Sequence, residues 1–254
     1  MERLEVYKLL ARTNCGECIP KTCMSFAVSL PAHPDSLEQC RYIEPGNLKV
    51  IQSILVHSDW REKLVRSLAD EVSKINLREV ASDLGCSLEG SDLVVRCIGQ
   101  EYRIRGDGGI IPDTRNPWIK ILLLHYVRNR GKGVFTGKWV SFSELKNGFV
   151  KASTFTRECE EPLRQLLDRD IAGTASLLEQ LGASRADGFS ADYSWIMDLL
   201  PRIRTLILYR IPDEEFPSSV KILFDGVSDR FLDVESLVFI GEGFVHTVMR
   251  MGQR

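Results

Sequence analysis

Apolar residues recur at helical spacing over residues 4–12, where Leu4, Tyr7, Leu10 and Ala11 fall on one side. They do so again over 22–30, where Met24, Phe26, Ala27 and Leu30 form a face. Residues 13–20 between them are punctuated by Gly16 and Pro20, which predicts a loop. Pro31 and Pro34 end the second helix. Asp35 or Ser36 is placed to cap one further turn, which carries Cys40. Pro45-Gly46-Asn47 reads as a break, and a soft boundary is expected between it and His57. Ser58 and Asp59 then open the most strongly solvated helix, 58–76, in which Trp60, Leu64, Leu68 and Val72 recur among alternating charges. Residues 77–84 continue it after a bend.

The period then changes. Residues 92–99 and 101–105 alternate like strands joined at Gly99-Gln100, and 106–109 is a glycine-rich turn. An apolar helix is expected over 118–127, behind Asn116-Pro117, and a short strand over 138–142. Residues 161–181 are helical in pattern with an interruption near Gly173. Two strands, 195–199 and 202–209, flank Pro201; 220–225 is another strand and 233–249 a last helix. Helices and strands mix without strict βαβ alternation, and no internal repeat is present. The expected fold class is α+β: a small helical module over residues 1–56, then a mixed α+β domain over 57–254.

Composition narrows the function. Hydrophobic residues are 44% and charged residues 27%, ordinary for a globular chain, so wholesale disorder is not expected. Against 35 acidic residues stand 33 basic ones, and the net charge of −2 removes a nucleic-acid binder as the default reading. No apolar run reaches the roughly 18 residues of a membrane span; the most apolar stretches are cut by Lys120 and Glu242. The start, Met1-Glu2-Arg3-Leu4-Glu5, lacks the basic region and apolar core of a signal peptide, so a cytoplasmic location is expected. Cysteines in that compartment read as ligands, reactive groups or core fillers rather than as disulfides.

Seven cysteines are present, and four of them lie in the first 40 residues: Cys15, Cys18, Cys23 and Cys40, spaced C-x2-C-x4-C-x16-C. A C-x2-C loop curls its backbone round one point, and Gly16 lets that turn form and offers amide N–H groups to sulfur. Cys23 falls at the predicted start of a helix, where a thiolate is favoured. Four thiolates suit an iron–sulfur cluster or a structural zinc. Zinc modules typically pair two such knuckles, and only one pair exists here; a tight triplet with a remote fourth is closer to a cubane cluster. The spacing differs from both common ferredoxin patterns. His33 is a ligand candidate only in the zinc reading. Cys86, Cys97 and Cys159 share no ligand spacing and read as buried small hydrophobes.

The stretch Thr13-Asn14-Cys15-Gly16-Glu17-Cys18-Ile19-Pro20-Lys21-Thr22-Cys23-Met24-Ser25-Phe26-Ala27 resembles the small 4Fe-4S domain of the large subunit of the corrinoid iron–sulfur protein of acetyl-CoA synthesis. The resemblance implies one [4Fe–4S] cluster held by Cys15, Cys18, Cys23 and a later cysteine, here Cys40. Ile19 stands where that family often has glycine, which removes a flexible residue but no ligand. The resemblance covers about residues 1–60, and the corrinoid-binding and barrel domains of that family are not expected in the remainder. From about residue 80 the chain resembles an uncharacterised domain often found behind this motif in anaerobic bacteria and archaea, on segments 121–126, 136–142 and 220–225. That resemblance supports a division of the chain and implies no activity.

The expected function is one-electron transfer, by resemblance toward a corrinoid protein or another low-potential redox partner. The competing class is a non-enzymatic binding module whose cluster or zinc is structural. No three-cysteine motif with an open iron site is present to suggest a radical enzyme, and no Ser/His/Asp or paired-carboxylate arrangement stands out. His125, inside an apolar helix, reads as a packed, hydrogen-bonded histidine. The segment 133–138 fails as a phosphate loop, because Lys132 stands five before Gly137 and Trp139 follows Lys138. Trp118, Trp139, Phe142 and Trp195 are expected as core or cleft walls.

Overall fold

A computed structural model describes residues 2–30, 34–57, 60–114 and 116–253. Pro31, His33, Ser58 and Asp59, which the sequence assigned to a helix end, a zinc alternative and a helix start, lie outside the described residues. The chain separates into two units, Met1–Leu64 and Val65–Arg254.

Only helices build the described part of the first unit: α1 (Glu2–Leu9), α2 (Cys23–Ser29), a 3-10 helix (Pro34–Gln39) and α3 (Pro45–His57). Helix α4 (Trp60–Ser73) contains the division between the units. Val6, Leu10, Phe26, Ala27, Leu30, Leu37, Ile51 and Leu55 meet in one apolar core, and Cys18 is buried with them. The residues read as a break, Pro45-Gly46-Asn47, instead form the first turn of α3. Proline suits a first helical position, since its fixed φ fits the helix and its missing N–H would lack a partner there anyway. Asn47 then ties α3 to α1, donating Nδ2–H to the carbonyl of Leu9 at 3.2 Å.

The second unit is mixed α+β with antiparallel sheets. After α5 (Leu77–Val80), strands β1 (Ser87–Glu89), β2 (Asp92–Cys97), β3 (Gln100–Ile104) and β4 (Ile110–Ile111) form a meander in sequence order. The turn between β2 and β3 is Ile98-Gly99, one residue earlier than expected, with both residues at positive φ (47° and 77°). Two-residue hairpin turns take that conformation because it matches the strand twist. The Ile98 N–H also donates to the carbonyl of Leu199 at 3.0 Å, joining this sheet to the next. Helix α6 (Pro117–Asn129) follows, capped by Asn116, whose side chain accepts from the Trp118 N–H at 3.0 Å.

The remaining elements are β5 (Trp139–Ser141), two 3-10 helices (Phe142–Glu144 and Gly148–Lys151), α7 (Ala152–Phe155), a π-helical turn (Thr156–Glu160), α8 (Glu161–Arg169), α9 (Ile171–Gln180), β6 (Ser184–Arg185), β7 (Tyr193–Leu200), β8 (Ile203–Arg210), β9 (Ser219–Asp225), a 3-10 helix (Ser228–Arg230) and α10 (Val234–Met251). The five strands pair antiparallel in the order β5-β9-β8-β7-β6. The helical break expected near Gly173 falls at Asp170, whose carboxylate accepts the Gly173 N–H at 2.8 Å and caps α9. Phe142 stacks on Phe155 at 4.4 Å between ring centroids, and Phe155 meets Phe224 of β9 at 5.5 Å. Helix α10 approaches closely at Gly241, where a Cβ would lie 2.8 Å from the Phe155 ring and 2.9 Å from Cys159 Sγ. Among the described residues, no helix is long and apolar enough to cross a membrane.

Two buried carboxylates complete the sheet. Asp225, 1% exposed, accepts the N–H of Thr136 at 3.0 Å, of Gly137 at 2.8 Å and of Val227 at 3.0 Å, and the Thr136 hydroxyl at 2.9 Å. Burial pushes its carboxyl up, but these donors outweigh burial and hold it below the usual carboxylate range. Glu160, in the π-helical turn, accepts the N–H of Ile222 at 3.1 Å and pairs with Lys221 at 2.9 Å. Strand β5 pairs with β9 only from Leu223 to Asp225, so Glu160 serves the strand edge where β5 ends.

Asp225→Ala is expected to strand these donors and cost about 3 kcal/mol in denaturant unfolding at neutral pH. The carboxyl is depressed in the folded state. Its contribution is therefore full above the ordinary carboxylate range and is lost as pH falls through the folded value, so the gap between wild type and variant should close in acid. A fragment of residues 57–254 is expected to melt cooperatively without iron in calorimetry; an insoluble fragment or a non-cooperative melt would mean that it shares a core with the first unit.

Candidate metal centre

The loop ahead of α2 passes through three left-handed residues, Arg12 at φ 57° and then, next to the first cysteine, Asn14 at φ 50° and Gly16 at φ 79°. Glycine adopts that conformation without strain, and asparagine tolerates it better than most residues. A Cβ on Gly16 would meet nothing within 4 Å, so the backbone angle rather than space selects glycine. The reversal sets Cys15 and Cys18 around one hollow with Cys23, the first residue of α2, and Cys40, just past the 3-10 helix. Gly16 and Lys21 share the lining. Cys18 is buried against the apolar core, Cys23 and Cys40 are half-buried, and Cys15 is exposed. The ring of sulfurs therefore has a dry inner edge and an open outer one.

Four hydrogen bonds tie the Cys15–Cys18 loop and its flanks to the segments that bring the other two sulfurs. The Cys23 N–H donates to Asn14 Oδ1 at 2.8 Å, and the Asn14 N–H donates to Cys23 Sγ at 3.4 Å in the reverse direction. The Ile19 N–H donates to Oε1 of Gln39, the residue before Cys40, at 3.0 Å. Tyr42 donates its hydroxyl to Glu17 at 3.2 Å. Thr22 caps α2, accepting the Ser25 N–H at 3.2 Å. Sequence reasoning did not single out Asn14, Gln39 or Tyr42. Only Asn14 carried a signal, being the residue type that both accepts a left-handed φ and offers a short side-chain acceptor.

The Cys18 thiol is pushed up to about 11, first by burial, then by the charge and hydrogen bond of Cys40 and by the charges of Cys15 and Cys23. The other three sulfurs thus lie near enough to oppose ionisation of Cys18. Four thiolates in one hollow require positive charge among them, which iron or zinc supplies. The soft donor set, with an N–H directed at one sulfur, fits an iron–sulfur group. Among the described residues, no group of three or more His, Cys, Asp or Glu side chains is arranged to hold a single ion; the four sulfurs instead line a cavity.

The other cysteines belong to the second unit. Burial pushes Cys86 and Cys97 up to about 12 and raises Cys159 as well, which keeps these thiols protonated and inert. His125 has partners that its neighbours in sequence did not disclose: Ser236 Oγ lies 3.3 Å from Nδ1, and Asp233 Oδ2 lies 3.8 Å from the same nitrogen. Serine and aspartate thus approach one nitrogen and do not flank the ring as a proton relay needs. Burial, then Arg128, lowers the His125 pKa. Trp195 is fully buried, Phe142 is core, and Trp118 packs on Phe239 at 4.4 Å between centroids.

Two family models match the chain in succession. One described as "Putative Fe-S cluster" covers residues 10–42, and one described as "Domain of unknown function (DUF3786)" covers 76–247. The corrinoid/iron-sulfur protein large subunit of Moorella thermoacetica is 48% identical over 40 residues, 16% of this chain and 9% of that protein. The gamma subunit of the acetyl-CoA decarbonylase/synthase complex is 36% identical over 55 residues in Methanopyrus kandleri, 22% of this chain and 12% of that protein. In Methanothermobacter thermautotrophicus the subunit of the same name is 33% identical over 72 residues, 28% of this chain and 13% of that protein. The chain thus spans only about a tenth of the length of these curated relatives. No solved structure matches it significantly. The matches support an iron–sulfur protein.

Alanine at any one of Cys15, Cys18, Cys23 or Cys40 is expected to lower iron per chain sharply. A triple variant, Cys86→Ala, Cys97→Ala and Cys159→Ala, is expected to keep its iron and visible absorption. Metal analysis and absorption spectra of anaerobically purified protein read both outcomes.

Proposed function

Since the chain belongs to the DUF3786 family and carries a cysteine module ahead of that domain, we propose that it is an electron-transfer protein with one [4Fe–4S] cluster on Cys15, Cys18, Cys23 and Cys40. A single observation carries the reading: four thiols line one hollow that is bedded in an apolar core at Cys18 and open at Cys15. A cluster bound there supplies one-electron oxidation and reduction. The chain's own part is to hold four soft ligands, to exclude water on the Cys18 side and to direct the Asn14 N–H at one sulfur. The exposed Cys15 edge is where a partner would approach closely enough to exchange an electron. Net charge is −2 over the whole chain, so long-range steering toward a charged partner is weak.

The acceptor we propose is a corrinoid protein. This rests on the name of the Moorella relative, which joins a corrinoid to an iron–sulfur protein. A second reading has its own support. Among the described residues, the first unit has a small core of nine buried members, one of them Cys18, and a metal group of any kind would staple it. In that case the centre is structural.

Anaerobic purification, iron and sulfide analysis, and reductive titration followed by electron paramagnetic resonance separate the readings. The expected result is about four irons per chain and a signal that grows on reduction by a strong low-potential donor. Stoichiometric zinc without iron overturns the cluster. A cluster that resists that donor overturns electron transfer and leaves the structural role. Mixing the reduced protein with a cob(II)alamin-bearing protein tests the partner: a reducible cluster that ignores it overturns the choice of corrinoid alone.

A further inference from the structure

We infer that Asn14 is a positioning residue for Cys23, an inference that rests on the cluster reading above. Asn14 meets Cys23 in both directions. Its carboxamide oxygen accepts the Cys23 N–H at 2.8 Å, and its own N–H reaches Cys23 Sγ at 3.4 Å. Cys23 opens α2, where the first N–H groups have no partner inside the helix. The Asn14 side chain supplies that partner from nine residues upstream. Thr22, the residue that caps α2, does not do so, because its hydroxyl is spent on the Ser25 N–H.

The two contacts close a ring between the residue before the first cysteine and the third cysteine. A shift of Cys23 therefore carries Cys15 with it, and the spacing of these two sulfurs is set by Asn14 rather than by either cysteine. The ring depends on φ 50° at Asn14, which turns its N–H and its side chain toward the same neighbour. Most residues take that angle at a cost, and of those that tolerate it glycine lacks the acceptor. Gln39 is the corresponding tie on the other side of the hollow, but it binds the N–H of Ile19 and no cysteine. An N–H directed at a ligand sulfur also draws charge from it and favours the reduced form. Asn14 thus bears on the redox equilibrium as well as on the geometry.

Two variants separate these effects. Asn14→Gly keeps the left-handed backbone and its N–H but removes the acceptor for the Cys23 N–H. Asn14→Asp keeps the acceptor and adds a negative charge beside Cys23. Both are purified anaerobically with wild type, matched for fold by circular dichroism, and followed by iron loss to a chelator, by paramagnetic resonance and by redox titration. Asn14→Gly is expected to lose iron roughly fivefold faster, with a broadened resonance. Asn14→Asp is expected to restore wild-type retention while moving the one-electron equilibrium roughly tenfold toward the oxidised form, about 59 mV.

If Asn14→Gly matches wild type in iron loss and line shape, or if Asn14→Asp does not restore retention, the inference is overturned and the cluster reading stands. Wild-type protein that binds no iron overturns the cluster reading and the inference with it. Should Asn14→Gly hold no iron at all, amide exchange at Cys23 in the iron-free proteins decides. Fast exchange in the variant against slow exchange in wild type upholds the clamp, and equal rates overturn it.

Discussion

Four sulfur atoms that repel one another when ionised are held around one hollow at the edge of a small apolar core. Most of the first unit can be understood as the means of holding them there. The left-handed turn at Asn14 and Gly16 folds the loop, α2 and the 3-10 helix deliver Cys23 and Cys40, and side chains of Asn14, Gln39 and Tyr42 bind the three pieces together. Burial on the Cys18 side raises the cost of charge there, and so raises the benefit of a cation that neutralises it. The arrangement is thus unfavourable for four free thiolates and favourable for four metal-bound ones.

The second unit solves a different problem with related means. Its five-stranded sheet is incomplete along β9, because β5 is short, and the loop before β5 has backbone N–H groups with no strand to meet. Glu160 and Asp225 take those places as acceptors. Buried carboxylates are costly unless hydrogen-bonded, and here each is bound to backbone donors that would otherwise be stranded. The π-helical turn is what brings Glu160 to the strand edge, just before α8 begins.

Much of this was legible beforehand, and the rest was hidden for identifiable reasons. Alternation and helical spacing located β2, β3, β7, β8, β9, α6 and α10, since each buries one face or is apolar throughout. The α+β class followed from their order. Pro45-Gly46 misled because proline marks a helix start as readily as a break, and only the apolar residues after it, Ile51 and Leu55, distinguish the two. The helical turns between Phe142 and Glu160 were missed because they are short and of mixed type, so no single period runs through them. Gly173 drew the helical break away from Asp170, although an aspartate three residues before a glycine is itself a cap signal. The cysteine spacing was visible as a motif. The ties that shape the hollow were not, because Asn14, Gln39 and Tyr42 act across 9 to 25 residues of chain with no periodic mark.

The four cysteines of the hollow precede the second unit in the order of synthesis. Cys40 leaves the ribosome some 179 residues before Ser219, the start of β9, which is roughly 10–35 s of elongation at 5–20 residues per second. Until β9 arrives, the five-stranded sheet lacks the strand that joins β5 to β8. A nascent chain therefore presents all four thiols of the hollow while the larger unit still lacks a strand of its sheet. For the cluster proposed above, delivery of metal and damage by oxidants would compete during that interval, before the finished molecule exists.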